Sequence, residues 1–129
     1  MTPLREVARS ALSDMIVVTR HPGAARWVAD ELGLWPVMRD GQVIGLALPD
    51  AGDGPIESEY APVMREVTPA MVRDSIVVGN LPLDLAAEAR EVWAIVFRGQ
   101  PPRGEEYTER DMRAAGARLW RFRVERITS

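Results

Sequence analysis

Met15-Ile16-Val17-Val18-Thr19-Arg20-His21-Pro22-Gly23-Ala24 is an apolar run that ends in an Arg-His pair and passes at once through Pro and Gly into a helical pattern. A short continuous apolar run of this kind is the pattern of a strand covered on both faces. Beyond the turn, Ala25, Val28, Ala29 and Leu32 recur at helical spacing, and Gly33 follows as a C-cap. The stretch reads as a β-turn-α unit. Such a turn leaves helix N–H groups without intrahelical partners, and these attract anions. Arg20 adds a planar donor fork suited to phosphate. His21 is the only histidine in the chain, and histidine is the side chain best able to take and give a proton near neutral pH. A solvated loop has the same spacing, so the residues alone leave both a phosphate site and an ornamental turn open.

The unit recurs. Ile76-Val77-Val78-Gly79 runs into Asn80-Leu81-Pro82, and the proline with an alanine-rich body predicts a helix over residues 83–90. Residues 92–97 read as a third buried strand. Thr108 caps a further helix through an approximate capping box with Asp111, with Met112, Ala115, Gly116 and Leu119 as its inner face. Trp120, Phe122 and Val124 alternate with Arg121, Arg123 and Glu125, the pattern of a half-exposed edge strand. Strands alternating with helices predict an α/β fold, a three-layer Rossmann-like and mostly parallel sheet with ligands at the carboxyl ends of its strands.

Two segments stand outside this rhythm. Residues 3–13 read as a short helix with Leu4, Val7, Ala8 and Leu12 near one face, so residues 1–14 are expected to be an N-terminal extension to a single domain over 15–129. Residues 34–61 read as an inserted hairpin or loop, with Asp40-Gly41 as the turn signal. An internal echo also links Pro36-Val37-Met38-Arg39-Asp40 and Val43-Ile44-Gly45 to Pro62-Val63-Met64-Arg65-Glu66 and Ile76-Val77-Val78-Gly79. A small duplication and coincidence both account for it.

Composition narrows the chemistry. At 129 residues the chain fits one domain with a real core. The absence of cysteine excludes zinc-thiolate sites, thiol nucleophiles and disulfides, and every basic side chain other than His21 is arginine, which excludes lysine Schiff bases and a Walker-type lysine. The net charge of −3 argues against nonspecific binding of duplex nucleic acid. Residues 98–126 nevertheless carry eight arginines against five acids, a local basic region that suits a small anionic ligand. No apolar run approaches the roughly 20 residues of a membrane span, and a signal-peptide layout is absent at the start. The expectation is a cytoplasmic protein with no membrane partner.

A strand ending in Arg-His and then Gly resembles the opening of the histidine phosphatases, but that family needs a second histidine, which this chain lacks. A phosphatase-like phosphate-binding protein is therefore a remote alternative. Three blocks in order carry a better match. They are Val17 through Ala24, Val77-Val78-Gly79-Asn80-Leu81-Pro82-Leu83-Asp84-Leu85-Ala86-Ala87-Glu88, and Pro102-Arg103-Gly104-Glu105-Glu106-Tyr107-Thr108 continuing to Met112 and Gly116-Ala117. Together they resemble a small family of type III CRISPR accessory proteins, the ring nucleases that open cyclic tetra-adenylate. Relative to that family, residues 34–61 are an insertion, and Asn80 stands where a small hydroxyl residue is usual.

The resemblance implies a CARF-like sheet that binds cyclic tetra-adenylate, with no cofactor and no metal, and because a cyclic tetranucleotide can present the same face to two protomers, a two-fold homodimer is expected. The resemblance also implies ring opening by attack of a ribose 2′-hydroxyl on its own phosphodiester. Arg20, His21 and Arg103 would be catalytic. Thr19, Pro22, Gly23 and Ala24 would face one phosphate, with Gly79, Asn80, Leu81, Pro82 and Arg98 facing ribose or phosphate. Arg103 and Glu105 lie on a loop over residues 100–108 expected to act as a lid. A noncatalytic cyclic-nucleotide sensor and an interaction module remain the alternatives from other classes.

Overall fold

The apolar run at 15–18 forms strand β1 (Met15–Val18), and the partners of β1 decide the architecture. In the computed structural model, which describes residues 3–50, 54–55, 59–100 and 108–128, β1 follows helix α1 (Leu4–Ala11) and a 3₁₀ turn (Leu12–Asp14), and leads into α2 (Pro22–Leu32). Next come β2 (Trp35–Arg39), β3 (Gln42–Ala47), β4 (Ala61–Met64) and the single turn α3 (Pro69–Val72). The chain continues through β5 (Ile76–Val78), the single turn α4 (Leu83–Ala86), β6 (Glu91–Phe97), α5 (Glu109–Ala114) and β7 (Ala117–Phe122). These strands join one seven-stranded sheet in the order β2-β3-β4-β1-β5-β6-β7.

The sheet is mixed, which corrects the expectation of a Rossmann-like (CARF-like), mostly parallel sheet. Only β4-β1, β1-β5 and β5-β6 pair in parallel. β2-β3, β3-β4 and β6-β7 are antiparallel and include the two longest ladders. Connection length is the physical reason. Asp40 and Gly41, with φ of 50° and 77°, close a two-residue turn that only antiparallel neighbours can use. β3 then lies against β4, so residues 34–61 supply strands to the sheet itself. The internal echo has no structural counterpart, because β4 and β5 lie on opposite sides of β1 and do not touch.

Apolar side chains fill both faces unequally. The larger core sets Met15, Val17, Val78 and Trp93 of the sheet against Trp27, Val28 and Leu32 of α2 and Met112 of α5, with Ala8 and Leu12 of the N-terminal segment included. The smaller one gathers Val72, Val77, Ala86, Ala89 and Val92 under the single turns α3 and α4. The N-terminal segment is tied on by a polar contact as well. The Arg5 guanidinium donates to the carbonyls of Glu31 and Asp30 at 3.0 and 2.9 Å, satisfying acceptors that the end of α2 leaves open.

Helix ends differ from the sequence expectation in two places. α4 is one turn rather than a helix over 83–90, and Pro82 stands just outside it. The Thr108–Asp111 capping box is complete, but α5 stops at Ala114 and Gly116 turns with φ of 71°. Leu119 therefore enters the main core from β7 instead of from a helix. The alternate residues Trp120 and Phe122 remain 53% and 42% exposed.

Glu91 shows how the antiparallel edge is fastened. Arg121 grips its carboxylate at 2.7 and 2.9 Å, the Trp93 indole N–H donates to it at 3.0 Å, and the guanidinium lies 5.8 Å from the Trp93 ring centre. The hydrogen bonds from Arg121 hold the Glu91 carboxyl below its ordinary value of 4.5. A depressed carboxyl stabilises the fold above the unfolded-state value and loses that contribution as pH falls through the folded one. Glu91→Gln is expected to cost about 1 kcal/mol near pH 7, roughly 3–4 °C in Tm. Melting curves should converge with the wild type as pH drops well below 4.5; a constant gap at every pH would contradict the ion-pair account.

Candidate functional site

Because β1, β4, β5 and β6 run the same way, their carboxyl ends share one margin of the sheet. Val18 is in register with Met64, and the Thr19 N–H donates to the Met64 carbonyl at 2.9 Å. Thr19-Arg20 therefore leaves β1 beside Arg65-Glu66 leaving β4. The Thr19 hydroxyl accepts the His21 N–H at 3.1 Å, which bends the chain sharply into α2. His21 is the N-cap residue of that helix, and Pro22 is its first residue.

A cavity of about 180 Å³ opens at this bend, lined by Thr19, Arg20, His21, Pro22, Ala25, Gln42, Val43, Ile44, Val63 and Arg65. Its lining holds two arginines and the histidine, and no acid. The Arg20 guanidinium is exposed and pairs with Glu66 at 2.8 Å. An exposed pair of this kind is worth about 0–1 kcal/mol, so an arriving phosphate can take it over. The N–H groups of Ala24 and Ala25 turn inward on the His21 carbonyl at 3.1 and 3.2 Å. An anion entering this bend would accordingly meet the guanidinium groups rather than those amides.

The expected site residues divide around this cavity. Thr19, Arg20, His21 and Pro22 line it, whereas Gly23 and Ala24 sit behind them in the first turn of α2. Gly79 lies at the same sheet margin but is buried, with φ of 139°, and a Cβ there would overlap the Val18 carbonyl oxygen. Its role is the close approach of β5 to β1. Asn80 spends its side chain on the backbone of β6, accepting the Ile95 N–H at 2.8 Å and donating to the Ile95 carbonyl at 3.1 Å. It acts as one more rung of the ladder. Leu81 packs on the smaller core, and Pro82 precedes α4. Arg98 lines a separate cleft with Val96, Phe97, Arg118 and Trp120. Arg103 and Glu105, with the expected lid, lie outside the described residues.

Gln42 and Arg65 are lining residues that sequence reasoning missed. The signal was present, since Pro62-Val63-Met64-Arg65 is a second apolar run ending in arginine; what was missing was that its strand pairs with β1. A larger cleft of about 680 Å³ lies elsewhere, between α1, α2, α5 and β7. Two of its arginines are already committed, Arg5 to helix carbonyls and Arg113 to Asp30 and Glu109, so it reads as a seam between elements. Among the described residues no three His, Asp or Glu side chains are grouped to hold a metal ion, and no helix is long and apolar enough to cross a membrane.

Residues 58–125 match the family described as "Putative CRISPR-associated protein (Cas_VVA1548)". The matched segment runs from before β4 to beyond β7 and lies C-terminal to the Arg20-His21 bend. No curated protein and no solved structure matches the chain.

Proposed function

The chain belongs to this family of CRISPR-associated proteins, since the match spans more than half of its length, and from that premise we propose that it is a ring nuclease that binds and linearises cyclic tetra-adenylate, ending type III CRISPR signalling. The observation that carries the proposal is the cavity where Arg20, His21 and Arg65 meet at the strand ends. Opening the ring needs no nucleophile from the protein. A ribose 2′-oxygen attacks the adjacent phosphorus and the P–O5′ bond breaks; the 2′ proton is released and the 5′-oxygen gains one. The products are a 2′,3′-cyclic phosphate and a 5′-hydroxyl. The protein's work is to hold the ribose in line, spread the phosphoryl charge and assist the proton. Arg20 meets the phosphoryl oxygens, and His21 carries the proton-transfer role.

The size of the cavity bears on assembly. At about 180 Å³ it falls below the roughly 300–1,000 Å³ of sites that enclose whole small ligands, and suits one linkage of the ring. A cyclic tetranucleotide presents equivalent faces, so a two-fold homodimer would engage it with paired cavities. Light scattering is expected to return a dimer mass with ligand bound; capture of the ring by a single protomer would reject this part.

Incubation of the purified protein with cyclic tetra-adenylate in EDTA tests the activity. Linear oligoadenylates with cyclic phosphate ends are expected. An intact ring at excess enzyme, with binding retained, would leave a noncatalytic sensor.

A further inference from the structure

The start of β3 and the end of β4, with Arg65 just beyond it, form half of the cavity wall, and the ring-opening step assigns no role to their side chains. Resting on the nucleotide reading of this site, we infer that Arg65 is its second phosphate-binding cation and that Gln42 reads the edge of an adenine base seated against Val43, Ile44 and Val63. Gln42 and Val43 pair with Arg39 and Met38 of β2, which places this wall on a strand ladder. Asp40 and Gly41 form the tight turn immediately before Gln42. The Tyr60 ring lies so close over Gly45 that a Cβ would overlap it, which pins the hairpin to the chain entering β4. Gln42 is thus presented on a fixed strand end and not on a loose loop.

The wall's chemistry matches a nucleotide. Val43, Ile44 and Val63 supply an apolar surface for a flat ring, and Gln42 is the one side-chain amide in the lining. A glutamine amide carries a donor and an acceptor at the spacing of adenine N6 and N7, a pairing that guanine, with O6 in place of the amine, does not offer. Arg65 follows Met64, whose carbonyl is held by the Thr19 N–H, so its backbone is fixed relative to Arg20. Among the described residues no carboxylate pairs with Arg65, and it reaches an anion without first giving up a partner. One linkage of the ring would lie between the two arginines, with its base toward the hairpin.

The test measures binding of cyclic tetra-adenylate and cyclic tetra-inosinate to the wild type and to Arg20→Ala, Arg65→Ala and Gln42→Ala across a salt series, with melting curves as a fold control. Both new positions have exposed side chains, so the variants are expected to fold. Arg65→Ala is expected to lose about tenfold or more in affinity and to lower the slope of log affinity against log salt by about 1. Gln42→Ala is expected to shrink the preference for adenine over hypoxanthine by about tenfold with the salt slope unchanged. If Arg20→Ala loses binding while Arg65→Ala and Gln42→Ala match the wild type, the hairpin wall is no part of the site and only this inference falls. If the wild type binds neither ring, the nucleotide reading falls and takes the inference with it.

Discussion

Gly79→Ala is expected to melt about 10 °C below the wild type, a loss of roughly 2–4 kcal/mol. The glycine has φ of 139°, a conformation that side-chain-bearing residues rarely adopt, and its missing Cβ makes room for the Val18 carbonyl oxygen. The obstacle is backbone in the β1-β5 ladder and cannot rotate away as a flexible side chain would. Gly79 is also held by its own N–H, which donates to the Trp93 carbonyl at 3.0 Å. Relief would therefore have to part β5 from β1 or from β6. Gly99→Ala is the control, since only the Ala115 carbonyl at 3.8 Å approaches its Cβ position. Equal melting temperatures for the two variants would refute the close-approach account.

His21→Ala is expected to lower single-turnover ring opening by about 10²–10⁴-fold, the range for loss of a positioned general acid or base, while affinity for the ring stays within a few-fold of the wild type. The residue sits at the start of α2, with its backbone fixed by Thr19 on one side and by Ala24 and Ala25 on the other. Its side chain can be removed without disturbing those main-chain bonds. Arg20→Ala should behave differently, losing affinity together with rate, because it meets phosphate in the ground state and holds the added phosphoryl charge more strongly in the transition state. Turnover by His21→Ala at the wild-type rate would move proton transfer to another group and leave the site to act by positioning through Arg20.

Local signals were legible in the sequence and pairing direction was not. The strand-to-helix bend at residues 15–32, the Asp40-Gly41 hairpin turn and the Thr108-Asp111 capping box each depend on neighbours within a few residues, and each formed where its chemistry called for it. Whether a strand runs parallel or antiparallel to its neighbour is a property of the whole chain. The rhythm of strands and helices therefore gave the wrong balance for the sheet. The same gap hid Arg65, 45 positions from Arg20 in the chain yet one strand away in the sheet. Asn80 could not have been resolved from spacing, because a side-chain amide that completes a ladder and one that meets a ligand occupy the same turn. Trp120 and Phe122 alternate as a buried face would, yet both stay exposed on the edge strand.

In the proposed complex the cyclic nucleotide sits at the bend Thr19-Arg20-His21, with the strand ends around it. A crystal structure with a ring whose 2′-hydroxyls are methylated, and which cannot cleave itself, tests this most directly. A phosphate within hydrogen-bonding reach of Arg20, with its ribose beside His21, is the predicted result. A ring bound at the cleft between α1, α5 and β7, or beside Arg98 and Trp120, with this cavity left unfilled, would contradict it.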